Sequence, residues 1–97
     1  MIVRIVRLTL HPNEREAFQA LFDEVSTRIR GSAGCLELKL LEDVRHPNIV
    51  TTFSEWRDEQ SLNEYRKSDF FLSTWSKTRK LFAAPPEAHS YTVSREL

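Results

Sequence analysis

The sequence has little of what would mark it as a secreted scaffold, a membrane protein or a nucleic-acid binder. Its one cysteine, Cys35, has no partner in the chain, which excludes an intrachain disulfide framework. Lys+Arg and Asp+Glu both number 14, so no surplus of positive charge selects nucleic acid or an anionic membrane. No run approaches the roughly 20 apolar residues of a membrane span. With only two glycines and four prolines there is no Gly-rich phosphate loop, and the composition is not that of a disordered chain. At the start, Met-Ile-Val-Arg-Ile-Val-Arg, Arg4 and Arg7 interrupt the apolar run and no small-residue cleavage site follows. A signal peptide is therefore not expected, and a cytoplasmic location is.

What remains is an ordinary globular composition in 97 residues, enough for a single domain spanning 1–97. A chain this short buries only about 60–65% of the surface that its unfolded form exposes. Its core is thin, and a second copy would be a natural source of further burial.

Ile2–Leu10 reads as a strand that ends at His11-Pro12. Ile2, Val6, Leu8 and Leu10 share one face, while Val3 and Ile5 lie on the other, so both faces need cover. Asn13–Arg30 reads as a helix with Phe18, Leu21, Phe22, Val25 and Ile29 on one side. Asn13 is placed to cap it, Glu16 to complete a capping box, and Gly31 to stop it. Gly34–Glu42 is a second strand with Leu36, Leu38 and Leu40 on one face. Asp43–Asn48 is a turn and Ile49–Trp56 a third strand, which together make an antiparallel hairpin. Asp58–Lys67 and Asp69–Phe82 read as helices, the second ended by Pro85-Pro86, and Ala88–Val93 as a last strand. The order β-α-β-β-α-α-β gives an α+β sandwich of the ferredoxin-like, split βαβ kind. Such a sheet has one bare face, and its simplest cover is a second copy about a two-fold axis, so a homodimer is expected.

The stretch Glu55-Trp56-Arg57-Asp58-Glu59-Gln60-Ser61-Leu62, followed by Tyr65 and Ser68-Asp69-Phe70-Phe71, resembles the antibiotic biosynthesis monooxygenase (ABM) family of dimeric α/β barrels. Gly34-Cys35-Leu36 upstream fits the same pattern. The resemblance implies a homodimer with facing sheets and a pocket between each subunit's own helices and sheet. It also implies oxidation of phenols or quinols by molecular oxygen without metal, flavin or haem. The family's haem-degrading branch carries an asparagine on the first strand, a tryptophan on the second helix and a proximal histidine on the third. The matching positions are Val6, Tyr65 and Trp75, none of which keeps that residue, so a haem-degrading activity is not expected. Quinol-oxidising members carry two histidines where this chain has Tyr65 and Phe70, and a mechanism built on those imidazoles is not available to it.

Cofactor-free oxygenation needs an apolar pocket and a group that stabilises the substrate's oxyanion. The candidates are Tyr65, Arg4 and His89 for catalysis, and Trp56, Trp75, Thr52, Ser54 and Val6 for holding a small aromatic or apolar substrate. Each has a plainer reading. The tryptophans can be core, Tyr65 a buried ring, Arg4 a strand-edge cation, and His89 a surface or dimer contact. His11, His46 and His89 are dispersed, so no metal site is expected. No cofactor is expected either. Cys35 reads as a buried structural thiol. Thr51–Trp56 lacks the basic-aromatic strand signature of RNA-binding ferredoxin-like domains. A non-catalytic ligand-binding or stress-related dimer and an enolate-type isomerase stay open as alternatives to an oxygenase.

Overall fold

Hydrophobic periodicity and turn chemistry lay down four strands and three helices, and the computed structural model describes all of residues 1–97. The elements are β1 (Ile2–Thr9), α1 (Arg15–Arg30), β2 (Cys35–Glu42), β3 (Ile49–Trp56), α2 (Glu59–Lys67), α3 (Asp69–Arg79) and β4 (Glu87–Tyr91). The strands form one antiparallel sheet in the order β2-β3-β1-β4. This is the ferredoxin-like α+β arrangement, with the helices on one face. No helix is long and apolar enough to cross a membrane.

Register divides the residues between the two faces. Arg4 pairs with Ser54, Val6 with Thr52 and Leu8 with Val50, so these side chains share the helix-covered face. Ile5 pairs with Phe53 and with His89, and Val3 with Tyr91, on the opposite face. Nothing covers that second face within the chain, where Tyr91 is 52% exposed. Under the helices lie two apolar clusters. Leu8, Leu10, Phe18 and Val50 form one, with Trp75, Phe22 and Phe82 packed on it. Cys35, Trp56 and Leu62 form the other, flanked by Ile2 and Tyr65.

Four local readings are corrected. Asn13 does not cap α1, because Pro12 opens a short 3-10 turn over Pro12–Glu14 whose Glu14 N–H donates to His11 O at 2.9 Å. The helix then starts at Arg15 with Glu14 before it and no side-chain cap. Leu36 does not join Leu38 and Leu40. The register slips between Cys35 and Glu37, which puts Cys35 on the core side and leaves Leu36 43% exposed. The third helix stops at Arg79, and Phe82 instead bridges to Leu10. The last strand ends at Tyr91. The α2 start follows the sequence closely, since Asp58 Oδ1 accepts from the Ser61 N–H at 2.7 Å.

Candidate functional site

Between the sheet and the helices lies a cavity of about 260 Å³. That exceeds the roughly 150 Å³ that holds a benzene in an engineered core and approaches the lower end of small-ligand pockets. Its floor is Arg4, Val6, Thr52, Ser54 and Trp56 from β1 and β3. Its roof comes from the apolar stripe of α1 together with Tyr65 and Arg66 of α2 and Phe71 and Trp75 of α3.

Seven of the eight predicted site residues line this cavity: Arg4, Val6, Thr52, Ser54, Trp56, Tyr65 and Trp75. His89 does not. It pairs with Ile5 in β4, on the uncovered face, next to Tyr91, so the sheet separates it from the cavity. The parity of a five-residue edge strand decided this, and no sequence signal fixed that parity. Arg66, Thr74 and Thr78 are lining residues that sequence reasoning missed. Arg66 lies in the last turn of α2, where a basic residue is already accounted for by the helix dipole.

The aromatic wall is continuous. Trp56 packs on Tyr65 at 4.9 Å between ring centroids, Tyr65 meets Phe71 edge-on at 5.2 Å, and Phe71 stacks on Trp75 at 6.0 Å. Trp56 is also core. It is fully buried, and its indole N–H donates to Ser54 Oγ at 3.0 Å. Ser54 is thereby occupied as an acceptor, while Thr78 Oγ1 donates to Thr74 O at 2.7 Å.

Electrostatics assigns the roles. Burial, with a smaller contribution from Cys35, pushes the Tyr65 hydroxyl up to about 12, and no hydrogen bond takes part in the shift. Tyr65 is therefore a neutral phenol, able to donate a hydrogen bond and unable to act as a base near neutral pH. Arg4 donates to Ser90 Oγ at 3.0 Å, and its pKa is lowered by burial and then by the like charge of Arg66. Burial raises the Cys35 thiol, whose Sγ lies 3.7 Å from Glu37 O, as befits an inert structural cysteine. No three His, Cys, Asp or Glu side chains converge as a metal site would require. No histidine, cysteine or methionine lines the cavity, and its one phenol, Tyr65, is held in the neutral form, so the lining offers no ready axial haem ligand.

The Tyr65 shift makes a prediction about stability. Its folded value lies above the ordinary value of 10.0, so between pH 10 and about 12 the unfolded chain loses the proton first. Tyr65 thus favours the folded state fully below pH 10 and progressively less as pH rises through 12. In urea titrations over that window the native protein should lose more stability than Tyr65→Phe. Parallel losses would show that the hydroxyl is solvated in the folded state.

The same architecture recurs in known proteins. "Structure of Rv0793 from Mycobacterium tuberculosis" superposes with a TM-score of 0.89 at 25% identity, covering 98% of this chain and 96% of that one. In sequence, "Putative monooxygenase Rv0793" is 30% identical over 81 residues, or 84% of this chain and 79% of that protein. "Putative heme-binding protein NP_2262A" of Natronomonas pharaonis is 32% identical over 78 residues, which is 80% of this chain. "Uncharacterized protein sll1783" of Synechocystis is 26% identical over 93 residues, or 96% of this chain. The chain spans 13% of the length of the Natronomonas protein and 63% of that from Synechocystis. The family model described as "Antibiotic biosynthesis monooxygenase" matches residues 1–75, the stretch that supplies the sheet floor, α1, α2 and most of α3. On that match, joined to the shared fold, the chain belongs to the antibiotic biosynthesis monooxygenase family.

Proposed function

We propose that this chain is a cofactor-independent monooxygenase of a small electron-rich aromatic or quinol-like molecule. The observation that carries the reading is the aromatic-walled cavity with Arg4 in its floor. The substrate ring lies against Trp56, Tyr65 and Trp75. Its ionised hydroxyl faces Arg4, whose charge stabilises the anion in a poorly solvated site. Tyr65 donates a hydrogen bond to the same oxygen or its neighbour. The anion then reduces molecular oxygen. One oxygen atom becomes a ring carbonyl, and the other leaves as water with the one hydrogen of the oxidised ring carbon and the proton that the hydroxyl gave up. The substrate supplies all the electrons. The monooxygenase name of the M. tuberculosis relative supports this class of reaction.

The test is oxygen uptake with a panel of anthrones, quinols and polyphenols, using labelled dioxygen to follow one atom into product. Turnover is expected for at least one member, and Arg4→Gln should cost about 100-fold in kcat, as removal of an oxyanion donor does. No uptake across the panel overturns the reading. One observation favours a second reading. No histidine, lysine or carboxylate lines the cavity, so the protein offers no base. A binding protein needs none, and it would return its ligand unchanged.

We also infer a homodimer. Val3, Ile5 and Phe53 form an apolar strip on the uncovered face, and only 10 of 97 residues are buried within one chain. Sheet-to-sheet packing of two copies would bury that strip.

A further inference from the structure

We propose that the cavity takes an aromatic carboxylate, its ring among the aromatic side chains and its carboxylate between Arg4 and Arg66. The inference refines the substrate class proposed above and concerns the same cavity. Its basis is an imbalance of charge. Two arginines line the cavity and no acidic residue does, although the whole chain has equal numbers of acidic and basic residues. The chain's four ion pairs use Arg7, Arg15, Lys39 and Arg57, and neither Arg4 nor Arg66 joins any of them.

A half-buried arginine ordinarily has an anionic partner, because leaving water costs the charge its hydration. The partner of Arg4 within the chain is only a neutral hydroxyl, Ser90 Oγ at 3.0 Å. The like charge of Arg66, on the same cavity wall, acts against it. Two like charges held beside an apolar cavity are the arrangement an anion relieves. Planar guanidinium groups suit the two oxygens of a carboxylate, which accepts charge-assisted hydrogen bonds from both. Of the remaining polar lining, Ser54 accepts from Trp56 and Thr78 is bonded to Thr74 O. Fourteen of the twenty lining residues are hydrophobic, so an inorganic anion would leave most of the cavity unfilled. The volume suits a ring system of about two fused rings.

The probe is 2-naphthoate, compared with neutral, near-isosteric 2-naphthamide by calorimetric titration. Naphthoate is expected to bind about 10- to 100-fold more tightly, the range for hydrogen bonds to a charged group. Arg66→Gln should remove most of that preference by weakening naphthoate far more than naphthamide, while Arg66→Lys restores part of it. Arg66 is exposed on α2, so its replacement should leave the thermal melt in place. Arg45→Gln, in the exposed β2–β3 turn, makes the same change of net charge and should have no effect. Equal affinities for the two probes, an undiminished preference in Arg66→Gln, or no binding of either probe overturns the proposal. Neither probe is a quinol, so binding is read without turnover. Tight naphthoate binding with no oxygen uptake across the panel would leave the anion site standing and remove the oxygenase.

Discussion

Replacing Gly34 with alanine should lower the melting temperature by at least about 10 °C, as read by circular dichroism at fixed protein concentration. Gly34 has a φ of 82°, a left-handed conformation that costs an L-residue about 1–2 kcal/mol. An added Cβ would also lie 2.5 Å from Ser61 Cβ and closer still to its Oγ. Ser61 cannot easily retreat. It is buried, its N–H is held by Asp58 Oδ1 at 2.7 Å, and Arg57 N–H donates to Gly34 O at 2.8 Å. Overpacking of this kind costs about 1–3 kcal/mol more. Together the two effects reach about 2–5 kcal/mol, a large part of the stability of a small domain. Gly31→Ala is the control. Gly31 has an ordinary helical φ of −81°, with Thr27 O at 3.3 Å from the added Cβ, so its effect should be much smaller. Equal shifts for the two variants would mean that the Gly34 turn relaxes freely.

Ile5→Asp should convert the inferred homodimer to monomer, measured by analytical ultracentrifugation at concentrations where the native chain is dimeric. Ile5 lies between Phe53 and His89 on the face opposite the cavity. An unpaired carboxylate buried there against a second copy would cost about 3–5 kcal/mol, which weakens association at least about 100-fold. The helical circular dichroism signal should persist, because Ile5 takes no part in either apolar cluster under the helices. Val6→Asp should behave differently, since Val6 packs on the larger cluster and lines the cavity, and should perturb the fold itself. A native chain that is monomeric, or an Ile5→Asp chain that remains dimeric, would show that this face is not the interface.

Much of this architecture was legible in residues one or two turns apart. The α1 stripe of Phe18, Leu21, Phe22, Val25 and Ile29 follows from helical spacing, and four of the five β1 residues Ile2–Val6 are apolar. The start of α2 near Asp58 and the β2–β3 hairpin turn were readable too. The latter is closed by Asp43 Oδ2, which accepts from the N–H groups of Arg45 and His46 at 3.0 and 2.8 Å. These are local effects, set by side chains close in sequence. Proline at position 12 and the irregularity at Leu36 were harder, because each shifts a boundary or a register by one residue and thereby changes which side chain faces the core.

The sequence by itself determined the element order, the apolar faces and the aromatic set, because periodicity and turn chemistry act over a few residues. Only the tertiary structure decided that Arg66 of α2 lines the same cavity as Arg4 of β1, and that His89 stands behind the sheet. Those placements depend on strand register and on helix packing across 60 or more residues of chain, and no local pattern encodes either.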